Sequence, residues 1–423
     1  MEFPLVAMLV TLIVTMAAGL HVALCMSLAA LACLFLGDNE PILFTQKFFN
    51  TFESFPLLAV PFFILAGEIM QRGSMAEVLL KLSRAMMQHV RGGLAIVSIM
   101  TCMFYGALCG AAPATLAAVG GIMIPAMAKD GYPKSFATAV NSAGGALGPL
   151  IPPGIAAILF ATSAQVSVGD MFMGMLPGAI LIAVLFMLTS YFISKKNNYG
   201  QVLPKASAKE RLQALWEAKW ALMVPVLVLG GIYGGITTPT EAGVVAVVYA
   251  LFAETFITKT MTWQKFKEIM VSAFKSNGLI MFVVCGANAM GTMLVFYQAD
   301  AIIVDMVSSI TTNPVILMIC FIILFLILGT FMEVGSCVLM LTPMIMPLVK
   351  SVGIDPVHFG VVFVSTMVIG VITPPVGMNL YMGCAMGDIP FTRLCRDIMP
   401  FVGAMCVGVL IMALFPQFCL CLI

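Results

Sequence analysis

Charge is what this sequence has least of: Asp, Glu, Lys and Arg together make up 9% of 423 residues, against about a quarter in a soluble globular domain. Hydrophobic residues reach 61%, so water is excluded as the main solvent. Histidine is scarcer still. Three scattered histidines supply no convergent acid, base or metal constellation, which argues against a membrane-embedded enzyme. The net charge of +1 is too small and too dispersed for a nucleic-acid partner. No glycine loop ending in Lys-Ser or Lys-Thr follows a strand, and Gly230-Gly-Ile-Tyr-Gly-Gly235 lacks that context, so no nucleotide site is expected. The N-terminus has neither a basic n-region nor a small-residue cleavage site; no removable signal peptide is expected, and the first hydrophobic run is read as part of the mature protein.

What is there is a series of apolar runs, such as Ala221 to Ile236 and Phe401 to Leu414. A hydrocarbon core of roughly 30 Å needs about 20 apolar residues per helical span, so an all-α polytopic membrane protein is expected. The 12 cysteines sit mostly alone inside apolar runs, without the paired spacing of a zinc site or disulfide framework. They and the 35 methionines read as packing residues.

An internal repeat appears at one fixed offset along the chain: Pro125, Gly131, Gly148, Pro152 and Pro153 match Pro347, Gly353, Gly370, Pro374 and Pro375 in the same register. Each copy has an apolar run broken by small residues, a proline, a short polar turn, and a second run broken at Pro-Pro. Proline removes an amide donor and glycine tolerates unwound backbone, so both should interrupt helices at membrane depth. Broken backbone is tolerated there only when protein or a watery cavity surrounds it. Kinks that merely bend packed helices are the alternative; repetition of both breaks favours a site.

The charges orient the chain. Basic loops at 195–219 and 259–275, separated by two spans, fall on one side, which the positive-inside rule makes the cytoplasm. Counting crossings backwards and forwards leaves only Lys47 and Lys350, of 20 basic residues, outside. The two hairpins then enter from opposite faces, as inverted repeats require. The expected organisation is N-terminal scaffold helices over 1–72, a first inverted repeat over 73–194, scaffold helices with basic loops over 195–275, a second repeat over 276–397 and a C-terminal helix over 398–423. Residues 3–36 read as two short spans divided near Gly19 to His21, and residues 75–91 and 300–311 as amphipathic arms.

Hairpin tips meeting near the midplane would place helix N-termini and unpaired carbonyls around one cavity, the first favouring an anion and the second a cation. Asn141, Ser142, Ser336, Thr373 and Asn379 lie close to the breaks and can complete oxygen cages for a hard monovalent cation, with Gly110, Gly144, Gly335, Gly370 and Gly377 baring the backbone. Small residues permitting close helix packing are the alternative for each. The candidate cation set therefore comprises Cys109, Gly110, Asn141, Ser142, Gly144, Glu333, Gly335, Ser336, Gly370, Thr373 and Gly377. The candidate substrate set is Pro152, Pro153, Gly154, Pro374, Pro375 and Asn379. Glu68, Glu241 and Glu333 are intramembrane acids; Glu241, after Thr237-Thr-Pro-Thr240, reads as a helix cap, and His358, after Asp355-Pro356, as structural. No Lys or Arg falls at the midplane, so an anion would be met by dipoles, polar groups, or Arg393 or Arg396 from the boundary.

These residues resemble the large membrane subunit of tripartite ATP-independent periplasmic (TRAP) transporters over essentially the whole chain. The resemblance rests on Phe55-Pro-Leu-Leu-Ala-Val-Pro-Phe-Phe-Ile-Leu-Ala-Gly-Glu68, Arg91-Gly-Gly-Leu94, Ile124-Pro-Ala-Met127 with Gly131-Tyr-Pro133, Ile151-Pro-Pro153, Thr238-Pro-Thr-Glu-Ala242, Gly353-Ile-Asp-Pro-Val-His-Phe-Gly360 and Thr373-Pro-Pro-Val-Gly-Met-Asn-Leu380. It implies an inverted-repeat, elevator-type carrier in a bacterial inner membrane, with sodium as coupling ion and no organic cofactor. It further implies uptake of a small organic acid such as a C4-dicarboxylate, sialic acid or other sugar acid, a periplasmic substrate-binding protein and a small four-helix membrane subunit. The first tip departs from the family: a Ser-Gly-Ser run followed by an acid is usual, where this chain has Cys109-Gly-Ala-Ala112 with Thr115. The usual Asp at the second tip is Glu333, and the Ser after the first Pro-Pro is Gly154. A stand-alone ion-coupled carboxylate carrier of similar architecture is the second reading, and a channel fits two opposed broken repeats less well.

Overall fold

The computed structural model describes residues 3–37, 40–73, 75–201, 204–299, 304 and 313–423. Among them every regular element is helical, and eight helices are long and apolar enough to cross a membrane. Large apolar side chains such as Phe192, Val226 and Phe274 are more than half exposed, as expected where lipid is the solvent.

The first stretch folds as Phe3–Ala17 and Val22–Leu36. They divide where Gly19 takes φ +77° and His21 caps the second helix by accepting from the Ala23 amide at 3.4 Å. Capping boxes start two of the following helices: Ser207 with Glu210 opens Ala208–Tyr233, and Thr238 with Glu241 opens Pro239–Phe252. Each pair satisfies amide donors left over at a helix start. The helix that opens the second repeat, expected from residue 276, begins as early as Trp263, capped by the Thr262 hydroxyl. At 34 residues it is about 51 Å long, so its Lys-bearing first turns project beyond the hydrocarbon. The arm over 75–91 forms the helix Met75–Met87; apart from Val304, the arm over 300–311 lies outside the described residues.

The repeat is visible in the backbone. The first hairpin pairs Gly93–Cys109 with Ala112–Lys129, the second Pro314–Gly329 with Val334–Ser351. Ala112–Lys129 and Val334–Ser351 have the same length, 18 residues each, and begin and end at equivalent positions of the repeat. The broken helices are Lys134–Gly145 with Ile155–Ala164, and Pro356–Val371 with Met378–Gly387. Each break contains a cis Pro-Pro bond, at Pro152-Pro153 and Pro374-Pro375. The two broken helices interlock: Met378–Gly387 lies on Lys134–Gly145, and Ile155–Ala164 on Pro356–Val371. Val168–Asn197 and Phe391–Leu414 clasp them, while the remaining long helices line one side, where Trp263–Phe296 packs on Val334–Ser351.

Loops assigned to one side by charge touch one another. Arg72 reaches Glu268 at 3.5 Å, Lys81 reaches Glu217 at 4.0 Å, and the Gln201 amide donates to Asp130 at 3.2 Å. Lys47 and Lys350, assigned to the other side, line a single cleft.

Candidate functional site

The hairpin tips and helix breaks converge on one cavity of about 200 Å³. Gly110 to Pro113 come from the first tip, Glu333 to Ser336 from the second, Pro149 and Ile155 from one break, and Val371 and Met378 from the other. Ile280 and Val283 of Trp263–Phe296 close the remaining wall, and Glu333 is the one charged residue of this lining.

Backbone contact without side chains builds the convergence. Gly110 turns the first tip at φ +63°, and a Cβ on it would overlap the Pro153 carbonyl. Behind the tip, a Cβ on Gly106 would fall 3.0 Å from the Gly148 Cα. The second half repeats the arrangement, with Gly370 against Gly329. These glycines let each hairpin arm approach the neighbouring broken helix at or just before its break, as small residues do between membrane helices.

At the second tip Glu333 is the N-cap of Val334–Ser351, accepting from the Ser336 amide at 2.8 Å and the Ser336 hydroxyl at 3.1 Å through one carboxylate oxygen. The carboxylate thus lies at the N-terminal, amide-bearing end of this helix beside the cavity. At the first tip the Cys109 thiol lies 3.1 Å from the Thr115 hydroxyl, which donates to the Ala111 carbonyl at 2.9 Å.

Between the halves, the Asn379 Nδ2 donates to the Ser142 carbonyl at 3.2 Å, and the Ser142 hydroxyl donates to the Asn379 carbonyl at 3.3 Å. Asn379 is fully buried, and its Oδ1 has no hydrogen-bond partner among the described residues. Leaving such an acceptor unsatisfied costs about 1–3 kcal/mol, and a cation is one partner that would satisfy it. The Ala112 carbonyl belongs to the same neighbourhood: a Cβ on Gly145 would lie 2.8 Å from Asn379 Nδ2 and 3.1 Å from that carbonyl. This donor set is all hard oxygen, which fits an alkali cation and not a soft metal.

The other candidates divide as follows. Gly110, Glu333, Gly335 and Ser336 line the cavity. Asn141 faces the first hairpin, accepting from Ser98 at 2.7 Å and donating to the Ala137 carbonyl at 2.8 Å; Gly144 packs on Cys102. Thr373 donates to the Ile369 carbonyl at 2.7 Å, and Gly377, at φ +47°, starts Met378–Gly387. Of the candidate substrate residues, Pro152, Pro153, Gly154, Pro374 and Pro375 form the breaks but, like Asn379, are not among the residues that line the cavity; Pro153 and Gly154 lie against Gly110, which does. Arg393 and Arg396 are exposed at the start of Phe391–Leu414 and do not line the cavity.

Glu241 caps its helix, accepting from the Thr238 amide at 2.7 Å, and Glu68 pairs with Arg72 at 3.5 Å and accepts from Ser272 at 3.0 Å. His358 Nε2 lies 2.9 Å from the Met412 carbonyl. Sequence reasoning missed Glu254, a fully buried carboxylate that accepts from Thr258 at 2.6 Å and from Thr260. The two hydroxyls shortly after it in the chain were the available signal. It also missed the apolar wall, Leu159, Ile280, Val283 and Leu339, whose residue types equally face lipid elsewhere.

A family model described as the DctM component of tripartite ATP-independent periplasmic transporters matches residues 9–418. The chain is 37% identical over 399 residues to the isethionate TRAP transporter permease protein DctMQ of Oleidesulfovibrio alaskensis, covering 94% of this chain and 63% of that longer relative's length. It is 36% identical to the sialic acid TRAP transporter large permease protein SiaM of Vibrio cholerae, covering 96% of this chain and 95% of the relative. It is also 36% identical to the C4-dicarboxylate TRAP transporter large permease protein DctM of Pseudomonas aeruginosa, covering 89% and 88%. The crystal structure of the Alcanivorax borkumensis YdaH transporter shares the fold, with a TM-score of 0.64 at 14% identity over 89% of this chain and 88% of that one.

Proposed function

The chain belongs to the DctM component family of tripartite ATP-independent periplasmic transporters, and from that premise we propose that it imports a small organic acid by coupling to sodium. The proposed partners are a small four-helix membrane subunit and a periplasmic binding protein that delivers the solute, in a bacterial inner membrane. The hairpins, broken helices and their two clasping helices would travel as one body against the remaining helices, carrying the cavity from one side to the other.

The observation that carries this reading is the meeting of two opposed hairpin tips and two helix breaks around one cavity. A site enclosed by backbone termini needs no lysine or arginine to hold an oxyanion, because free amides and the positive end of a helix supply the attraction. The Asn379 Oδ1, the Ala112 carbonyl and the Glu333 carboxylate support a cation beside it. Neutralising the solute's charge by a bound cation lowers the cost of moving it through a low-dielectric region, which is a physical reason for coupling the two. The relatives' names span a sulfonate, a sugar acid and dicarboxylates; a small oxyanion is the chemistry common to them.

The test is uptake of labelled organic acids into proteoliposomes holding this chain and its small partner, with the cognate binding protein outside, with and without an inward sodium gradient. Sodium-dependent uptake that vanishes without the binding protein is expected. Uptake indifferent to sodium would overturn the coupling, and uptake without the binding protein would favour a stand-alone carrier.

A further inference from the structure

A second cleft, about 670 Å³, adjoins the cavity on the side to which charge counting assigns Lys47 and Lys350. Its walls are the outer ends of Pro41–Asn50, Ile155–Ala164, Trp263–Phe296 and Val334–Ser351. Lys47 stands on one wall and Lys350 on another. These are the two basic residues that charge counting leaves outside, and the structure brings both to one cleft. No Asp or Glu lines it, and neither lysine pairs with a carboxylate among the described residues.

Leu339 lines both the cleft and the cavity, so the two spaces are neighbours across one side chain. Each lysine lies in the last turn of its own helix, where the free carbonyls favour a cation, but that local role does not require the two to share a concavity with no acid between them among the described residues, where like charges repel, weakly when both are solvated. Their effect falls on what enters the cleft. A concavity lined by one sign of charge focuses the field and raises both the local concentration and the arrival rate of the opposite sign. Asn288 and Thr292 are already committed, to the Thr51 hydroxyl at 2.9 Å and the Asn288 carbonyl at 2.9 Å. Ser163 and Gln165 remain as polar donors beside the lysines.

We propose that this cleft is an entrance subsite for the small organic anion, in which Lys47 and Lys350 capture the carboxylate or sulfonate before it passes Leu339 into the cavity. The inference rests on the solute being an anion, as read above, and adds where it first binds. Because Lys350 belongs to a hairpin and Lys47 to the other set of helices, relative movement of the two would separate the pair and release the anion from it.

The cleft's field is read without transport by labelling a Thr292→Cys variant in the complex with the small subunit. Its rates of reaction with a negatively charged and a positively charged methanethiosulfonate are compared, each corrected by the parent, whose native Cys320 and Cys421 are also exposed. The ratio of anionic to cationic rate should fall about tenfold in K47Q/K350Q at low salt. The difference should shrink as salt shortens the screening length to about 3 Å at 1 M. An unchanged ratio overturns the proposal.

In the uptake assay the same double variant should raise KM about tenfold with kcat kept, and K47R/K350R should restore KM. A changed ratio with unchanged KM also overturns it, as does a variant that alters only the binding-protein concentration required, which would make the lysines a docking contact. Loss of all anion uptake by the unmodified protein, with the labelling ratio intact, would instead mark failure of the proposed function.

Discussion

Gly370 sits against Gly329 so closely that a single methyl group on Gly370 would overlap the Gly329 carbonyl. The same relationship, in the first copy of the repeat, holds Gly148 against Gly106. Both contacts join the first arm of a hairpin to the broken helix beside it, at Gly148 within the break and at Gly370 in the last turn before it, so the geometry of each tip depends on an absent side chain.

Gly370→Ala should therefore lower stability by about 1–3 kcal/mol, the usual range for overpacking, and abolish uptake. Gly353→Ala is the control. Gly353 has φ +74° with nothing within 4 Å of a built Cβ, so only backbone strain of about 1–2 kcal/mol applies and uptake should survive. Thermal unfolding of both purified variants, with uptake alongside, checks the difference; a Gly370→Ala protein that transports normally would refute the close-approach argument.

Asn379 and Ser142 exchange hydrogen bonds between the halves, yet only Asn379 is left with an unpaired acceptor. Asn379→Ala should raise the sodium concentration for half-maximal uptake about tenfold, which is about 1.4 kcal/mol. Ser142→Ala removes one neutral hydrogen bond and should cost about 1 kcal/mol of stability with a much smaller change in sodium dependence. Equal sodium shifts in the two variants would mean that the amide serves only the contact between helices.

The hairpins and breaks were legible in the sequence because proline and glycine punctuate helices by local rules, and their recurrence in the same register in the second half reinforced them. The division at Gly19 to His21 and the cap at Glu241 were readable for the same reason. The cavity wall was not: Ile280 and Val283 line the site while Phe282 between them does not and is 37% exposed, and nothing local separates these cases. Asn141 and Ser142 are neighbours in sequence with similar chemistry, but helical rotation sends one to Ser98 and the other to Asn379. Glu254 escaped because a lone acid near Lys259 looks like an interfacial helix end, while the fold buries it against Gly73.

Glu333 caps Val334–Ser351, and that observed role can be separated from the charge proposed for it in the solute cycle. Glu333→Gln keeps an acceptor for the Ser336 amide, so stability should stay within about 0.5 kcal/mol, whereas Glu333→Ala should lose about 1 kcal/mol as other cap deletions do. Uptake should fall at least tenfold in both if the charge matters to the solute cycle. Melting curves and uptake measured on the same preparations separate the roles; full uptake by Glu333→Gln would leave Glu333 as a cap alone.

Thr238→Ala provides the matching structural control. Thr238 accepts from the Glu241 amide at 3.3 Å within a capping box that is not part of the cavity lining. Its loss should cost about 1 kcal/mol and leave the sodium requirement as it was. A shifted requirement would show that Pro239–Phe252 takes part in the cation site.

The first tip can be tested by restoring oxygen instead of removing it. Cys109 presents a soft sulfur, already turned toward Thr115 at 3.1 Å, and Ala112 presents only its carbonyl. Hard alkali cations prefer oxygen ligands, so Cys109→Ser and Ala112→Ser together should lower the half-saturating sodium concentration several-fold. The shape of the tip should persist, because Ser is close in size to both residues and Gly110 still makes the turn. A sodium titration of uptake decides between two kinds of coordination. A lowered requirement means that side-chain oxygen at this tip adds to the cage, while an unchanged one means that carbonyls such as that of Ala112, together with Asn379, already hold the cation without it.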